Sequence, residues 1–405
     1  MRLRQINKKE FGTFCKSSSL SNFFQTKEYA ELKRKEGYHT YFVGLDDSGR
    51  ILAAALLISS EFTITKKRVF FCPRGYIIDY RNQELLNTFT KELVTYVKEK
   101  KGALIKINPN LMLKERDVNG ELVSGGMNNS KCVDNLLSIG YKKINSYNTV
   151  NPNFLYTIDL KGKNNDELYE NISLNVKNII ERNEKIGISV TQLEKQDSDK
   201  FLSILRNCSS RIDYFKKNDK SYKNVISILS NYNMVDIITA ELDIDKYLEV
   251  TKRSLENALN DSDLSAQVQK QLDVINNLQY KYGHKVSLGT LLAVSYNNQY
   301  LTLCIASMDK FKNFDPISTL IWESMKRAKK LSATKYIFYG MDANLEDENN
   351  LIHYYKNFNG KTVELIGEYD YVIDERNYQK YLKKQAKIKN KKWFILFCWI
   401  GTNVK

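Results

Sequence analysis

One order of strand and helix signals occurs twice along this chain, and that repeat limits the fold more than any single segment does. In the first round, Tyr41–Leu45 and Ile51–Ile58 read as strands joined by the turn Asp46-Asp47-Ser48-Gly49. Val69–Cys72 is a third strand, ending at Pro73-Arg74-Gly75. Glu84–Lys98 has helical periodicity, and Ala103–Ile107 is a buried strand closed by Pro109. Ahead of these, Phe23–Lys33 reads as a short helix with Thr26 as N-cap and Gly37 as stop. The second round opens with a strand at Phe154–Leu160, a long helix over Asp166–Lys185 stopped by Gly187, and a strand at Ile188–Thr191. Val235–Leu242, Thr290–Tyr296 and Tyr300–Ala306 follow as strands, the last two joined by a turn at Asn297-Asn298. Pro316 opens a helix whose apolar positions are Ile317, Leu320, Ile321, Met325 and Ala328. Tyr336–Tyr339 is a strand, and Val363–Ile373 is expected to close the second lobe. The expected class is α/β (α+β), built as two lobes of like grammar.

Inside the second round, Tyr247, Leu248, Thr251, Leu255 and Leu259 form one apolar stripe, and Leu264, Val268, Leu272, Ile275 and Tyr282 another. With Asn260-Asp261-Ser262-Asp263 between them, residues 244–284 are expected to form an antiparallel helical hairpin. The expected domains are therefore 1–148, 149–374 with that insertion, and a C-terminal segment 375–405. From Lys380 to Lys392 this segment is strongly basic. Trp393–Ile400 is then apolar and aromatic, and too short to span a bilayer. Two readings stand open for it: packing back on the first lobe, or an interfacial anchor beside a polybasic patch.

Only four prolines occur, Pro73, Pro109, Pro152 and Pro316, so no Pro-rich linker separates the lobes. The six cysteines lie far apart with no C-x-x-C pair, which signals neither a zinc site nor a disulfide framework. Three histidines, His39, His284 and His353, show no metal or triad motif. The first residues lack the apolar core of a signal peptide. The net charge of +15 attracts polyanions such as nucleic acid, nucleotide-linked substrates or an anionic membrane face, although its lysines are spread along the chain.

Several segments, in order over roughly residues 20 to 374, resemble the Fem-type (FemABX) aminoacyltransferases. They are Phe23-Phe-Gln-Thr-Lys-Glu-Tyr-Ala-Glu-Leu-Lys33, Pro73-Arg74-Gly75 with Asp79, Ile105-Lys-Ile-Asn108-Pro109, and Asn175 to Ile188. Tyr336 to Gly340, Tyr354-Tyr-Lys356-Asn-Phe358-Asn-Gly360 and Gly367-Glu-Tyr-Asp370 complete the order. Asn108 stands where the family usually has Asp, and Asn357 and Asn359 stand where glycines are common. The hairpin resembles the coiled arm that many members insert in the second lobe. The resemblance implies two acetyltransferase-like (GNAT-like) lobes. It further implies transfer of an amino acid from aminoacyl-tRNA to an amine on the stem peptide of a cell-wall precursor, either lipid II or a nucleotide-linked form. A cytoplasmic protein is implied, with the inner membrane face as a candidate contact.

That chemistry starts from an activated ester, so it calls for no metal or redox cofactor, only deprotonation of the amine and stabilisation of the oxyanion. Lys356, ahead of a Phe-Asn-Gly turn, is the candidate for the positive charge at the oxyanion. By family position Lys33 and Arg211 are candidates for the precursor's phosphates, and Tyr214 for the same groove. Asp79 is a candidate base or orienting group. Arg74 and Tyr339, in the matched segments, complete the substrate-binding set. Two other readings are weighed against this one. An acyl-CoA-dependent N-acyltransferase of the same fold would carry a Gly-rich phosphate run, and none is found. A non-catalytic RNA- or membrane-binding protein would fit the charge and the basic tail.

Overall fold

The computed structural model describes residues 1–62, 66–145, 152–208, 211–213, 219–257, 262–341 and 352–386, with the backbone alone at 211–213, 340–341 and 352–353. The chain divides into two compact units. One comprises Met1–Lys114, Met127–Asn153 and the chain from Leu365; the other comprises Glu115–Gly126 and Phe154–Glu364.

The first unit begins with β1 (Arg2–Gln5), α1 (Lys8–Ser17), α2 (Lys27–Lys35), β2 (His39–Asp47), β3 (Arg50–Glu61) and β4 (Arg68–Arg74). It continues through α3 (Gln83–Glu99), β5 (Gly102–Pro109), β6 (Met112–Glu115), α4 (Ser130–Ser138) and β7 (Lys142–Lys143). Thr26 caps α2 as expected, its hydroxyl accepting the Tyr29 amide at 3.0 Å. α3 carries the chain from β4 to the parallel strand β5 and buries Leu86, Phe89, Leu93 and Val97 against the sheet. Its apolar positions fall at helical spacing, which is why one face alone is covered.

In the second unit the elements are β8 (Phe154–Asp159), α5 (Asn165–Glu170), α6 (Leu174–Lys185), β9 (Ile188–Gln192), α7 (Ser198–Arg206), β10 (Arg211–Asp213), α8 (Asp219–Ser230) and β11 (Val235–Asp243). Then come α9 (Ile244–Asn257), α10 (Ser262–Tyr282), β12 (Lys285–Tyr296), β13 (Gln299–Ser307), α11 (Pro316–Lys330), β14 (Lys335–Met341), α12 (Ile352–Tyr355) and β15 (Lys361–Leu365). Its sheet runs β15-β8-β14-β13-β12-β11-β9, with β10 on β13. The turn at Asn297 and Asn298 forms as expected, both residues at positive φ, which suits the twist of a two-residue hairpin. α9 and α10 form the hairpin, with Tyr247, Thr251, Val268, Leu272 and Ile275 buried and Tyr280 fully exposed.

Two expectations are corrected here. The long helix over 166–185 is broken. Ile172 is buried at the break, and Ser173 re-caps the chain as it enters α6. Periodicity spans such a break because the apolar face is continuous across it. The stretch Val363–Ile373 does not close the second lobe. After β15 the chain turns at Gly367 and re-enters the first unit as β16 (Tyr369–Val372), between β5 and β7. The first sheet thus runs β1-β2-β3-β4-β5-β16-β7. Residues 115–126 fall in the second unit because Arg116 pairs with Glu364 at 2.7 Å and Asp117 accepts the Thr362 amide at 3.2 Å. The unit boundaries therefore differ from the expected 1–148 and 149–374, since alternation in a strand does not say which sheet receives it. Past β16, helical backbone over 375–386 packs in the first unit, with Tyr378 donating to Asp370 and Tyr381 against Phe62. The rest of the basic and aromatic tail, 387–405, lies outside the described residues.

Candidate functional site

Three of the motifs found in the sequence converge on one buried polar knot in the first unit. Gln25, wholly buried, accepts the Leu56 amide at 2.8 Å and donates to the Pro73 carbonyl at 2.6 Å. Asn108 Oδ1 accepts the Arg74 amide at 2.8 Å, and Asn22 donates to the Arg74 carbonyl at 3.0 Å. These bonds hold the end of β4 where Arg74 adopts a φ of 54°. Gly75 follows because any Cβ there would collide with Cys72 Sγ and lie 2.9 Å from Gln25 Cδ. An aspartate at position 108 would accept the same amide. Asparagine keeps that acceptor and leaves its Nδ2 without a partner among the described residues. Arg74 is itself buried, and its guanidinium donates to the Pro152 carbonyl at 2.7 Å. Its visible work is to hold this loop.

Lys33 sits in the last turn of α2 with its side chain only 15% exposed. Its ammonium lies 2.8 Å from Glu36 and faces the rings of Tyr29 and Tyr38 at 5.2 and 5.6 Å. Burial disfavours the charge, but Tyr29 and Glu36 outweigh it and hold the pKa above the ordinary lysine value. Asp79, beyond the knot, is exposed and accepts the Arg81 amide at 2.9 Å. Tyr339 is buried near the end of β14. Arg211 opens β10, which pairs with β13. Its side chain, and Tyr214 altogether, lie outside the described residues, so the expected common groove for Lys33 and Arg211 has no described counterpart.

Lys356 rides on an aromatic platform in the second unit. Phe338 stacks on Tyr355 at 4.1 Å, and Tyr355 and Phe358 are both buried. The Gly360 amide donates to Tyr156 Oη at 2.9 Å, and a Cβ on Gly360 would strike the Thr157 carbonyl. Asn359 takes the left-handed conformation at φ 48°, which asparagine tolerates. Asn357 has no such need, and its amide donates to the Tyr354 carbonyl at 3.0 Å. The turn is thus built without the glycines common at both positions. Lys356 itself is exposed, and its ammonium has no ion pair among the described residues.

Two further features frame this unit. β12 pairs one edge of β13 along its whole length, while β14 pairs the other edge only from Gln299 to Thr302. Beyond that point β10 pairs with β13 from Cys304 to Ala306, on the edge that β14 has left. The N-terminus of α11 is closed by Asp315, whose carboxylate accepts from Ser318 Oγ at 2.6 Å and from Tyr354 Oη at 3.2 Å.

One charged cluster was missed by the sequence reading. Lys106 projects from β5 into the fold, with Asp370 at 2.6 Å and Glu368 at 2.9 Å, and both carboxylates are wholly inaccessible. Tyr378 Oη adds a hydrogen bond to Asp370 at 3.1 Å. Burial disfavours the ammonium, yet the two carboxylates more than offset this and raise its pKa. The signal was present in two matched segments, 105–109 and 367–370, but nothing in their spacing joins them. Among the described residues, no group of His, Cys, Asp and Glu has the arrangement of a metal site.

Two α/β units with splayed or parallel strand pairs and crossover helices define the acetyltransferase-like fold. A tandem GNAT protein from the clavulanic acid biosynthesis pathway superposes with a TM-score of 0.52 at 8% identity, covering 91% of this chain and 98% of its own. The crystal structure of FemX is more similar, with a TM-score of 0.73 at 19% identity, covering 94% and 99%. The FemAB family pattern matches residues 6–384, and the chain belongs to the FemAB family. The aminoacyltransferase FemA of Staphylococcus aureus (strain N315) is 24% identical over 417 aligned residues, spanning 95% of this chain and 99% of FemA.

Replacing Lys106 by Met removes the cation that two buried carboxylates share and is expected to cost about 3–5 kcal/mol, measured by urea unfolding. Adding Glu368→Gln and Asp370→Asn should restore most of it. Because the folded pKa of Lys106 is raised, its contribution is present throughout neutral pH. It fades only as pH climbs past the unfolded lysine value of about 10.4 toward the folded one. A Lys106→Met protein as stable as wild type would remove the cluster from the structural account.

Proposed function

We infer that this chain is an aminoacyltransferase that takes an amino acid from aminoacyl-tRNA and joins it to an amine on the stem peptide of a peptidoglycan precursor. The product is the cross-bridge of the cell wall. The observation that carries the reading is the family match over residues 6–384, with relatives named aminoacyltransferases aligned over nearly their whole length. In the reaction the acceptor nitrogen attacks the ester carbonyl. A C–N bond forms, the ester C–O bond breaks, and the ribose oxygen leaves with the proton given up by the amine.

The acyl-CoA reading meets an electrostatic obstacle. A pyrophosphate seated on the N-terminus of α11 would face the Asp315 carboxylate, which already closes that helix end. The connection from β4 to α3, residues 75–82, carries one glycine and no Gly-rich run. Both features favour a donor that is not held by a helix-bound pyrophosphate.

Within the reading, Lys356 supplies positive charge to the oxyanion. As the ammonium meets water here, its effect depends on a bound donor covering it, since screening weakens an exposed charge. Lys33 contacts the precursor's phosphates, its charge partly offset by Glu36. By family position Arg211, Tyr214 and Tyr339 are further substrate-binding candidates, and Arg74 supports the loop that bears Asp79. The protein works in the cytoplasm, where charged tRNA is found. Among the described residues no helix is long and apolar enough to cross a membrane. Lys383, Lys384, Lys387, Lys389, Lys391 and Lys392, with Trp393 and Trp399, are candidates for contact with the anionic inner membrane face.

The deciding measurement offers purified protein a mixture of charged tRNAs with soluble and lipid-linked precursors, and identifies the product by mass. No transfer with any pair would defeat the reading. In the same assay Lys356→Met should lower kcat about a hundredfold with precursor affinity nearly intact; a wild-type rate would return Lys356 to the surface. Lys33→Ala should weaken precursor binding and flatten its salt dependence, and an unchanged salt slope would exclude phosphate contact. Removing residues 383–405 should reduce sedimentation with anionic vesicles, and equal sedimentation would exclude the tail as an anchor.

A further inference from the structure

Asp315 does more than close the N-terminus of α11. A capping aspartate needs only extended backbone and an amide to accept. Asp315 instead takes the left-handed conformation at φ 44°, which disfavours a residue with a Cβ. The backbone on either side holds it there. The Phe314 carbonyl accepts from Arg182 and from Asn183, both at 2.8 Å, and the Asp315 amide donates to the Lys312 carbonyl at 2.9 Å. Asn183 is wholly buried and also donates to Thr319 Oγ1 at 3.0 Å, so the group that pins Phe314 is itself pinned.

From that position the carboxylate reaches a second element. Its Oδ2 accepts from Ser318 Oγ at 2.6 Å, and its Oδ1 accepts from the Ser318 amide at 3.3 Å and from Tyr354 Oη at 3.2 Å. Ser318 Oγ and Tyr354 Oη lie 2.8 Å apart, which closes a ring of polar groups. Burial, and then the charge of Asp315, push the Tyr354 phenol above its ordinary value, so it stays a proton donor to the carboxylate. Tyr354 lies in α12, two residues before Lys356. Side chains two apart on a helical turn do not face each other. Tyr354 therefore roots the inner side of the turn, and Lys356 is left exposed on the outer side. The far end of the turn is rooted as well. The Asn357 carbonyl accepts the Ser173 amide at 2.8 Å, and Asn359 donates to Asn171 Oδ1 at 3.3 Å. The break between α5 and α6 supplies both of these partners.

We propose that Asp315 is a positioning residue for the transfer step: by holding Tyr354 it fixes the turn that carries Lys356, and so sets where the ammonium stands. The proposal deepens the aminoacyltransferase reading and rests on its assignment of Lys356 to the oxyanion. The effect of a cation on a developing charge depends on its distance and on prior orientation, and a lysine on a loose turn would supply neither. Both carboxylate oxygens of Asp315 are already engaged, so the residue acts through Tyr354 and not on the substrate.

The test measures transfer by the full chain, from charged tRNA to precursor, in single and paired variants. Tyr354→Phe keeps the ring and removes the hydroxyl. Asp315→Gly keeps the left-handed backbone and removes the carboxylate. Each should lower kcat about tenfold, less than the loss of the lysine itself, with KM for both substrates unchanged. In a Lys356→Met background either change should alter kcat by less than about twofold, because the group being positioned is gone. A merely structural role would lower kcat by the same factor in both backgrounds, and that result overturns the proposal. So does a wild-type kcat in Tyr354→Phe, or a change in KM alone, while Lys356→Met is slow; the function and the lysine's role then stand without Asp315. If Asp315→Gly does not fold, Tyr354→Phe carries the same pair of measurements. A wild-type rate in Lys356→Met removes the positioning role together with the lysine's. Absence of transfer with every pair of substrates removes the aminoacyltransferase reading and the proposal together.

Discussion

A lysine ammonium between two inaccessible carboxylates holds the first unit together across most of the length of the chain. Lys106 on β5 meets Glu368 and Asp370, more than 260 residues later. Without that cation the return of the chain as β16 would bury two carboxylates lacking the lysine that meets both, which a fold of this size does not tolerate cheaply. With it, β16 seats between β5 and β7, and the helix at 375–386 covers the pair with Tyr378. A buried ion cluster of this kind adds less to net stability than to register. Only one placement of residues 368–370 satisfies the ammonium, so the strand cannot slip by a residue.

The same strand leads to the polar knot. Lys106 and Asn108 lie two residues apart on β5 and so project to one face. The first binds the end of the chain, and the second binds Arg74 at the end of β4. Gln25 and Asn22 complete the bonding. The loop from Gly75 to Asn82 then leaves a rigid base, and its outer residues Asp79 and Arg81 are exposed without an ion pair among the described residues. Buried amides and carbonyls saturate each other, while charged side chains at the tip stay available. This is the arrangement expected where a scaffold presents a loop for binding.

In the second unit the equivalent parallel strands separate, and the chain's own β10 occupies the edge of β13 that β14 leaves. An unpaired edge would otherwise expose donors and acceptors to any passing strand. Asp315 similarly answers the open amides of α11. Each unit therefore carries the shared fold with different local chemistry. The first keeps β4 and β5 paired from Arg68 to Arg74, and the second opens its pair and fills the gap from within.

Much of the architecture was legible in the sequence because it rests on local rules. Thr26 as a cap, the Asn297-Asn298 turn, Pro316 at a helix start and the two stripes of the hairpin all depend on neighbours within a few residues. The motifs likewise named Gln25, Arg74, Gly75 and Asn108, although not that they bond to one another. What the sequence left open was every choice between distant partners. Tertiary structure alone sent β16 to the first sheet, broke the helix at Ile172, buried Arg74 where a substrate contact was expected, and joined Lys106 to Glu368 and Asp370. The physical reason is that periodicity encodes which face of an element is covered. The partner that covers it is selected by burial, charge neutralisation and hydrogen-bond saturation, and these are settled only when the whole chain is folded.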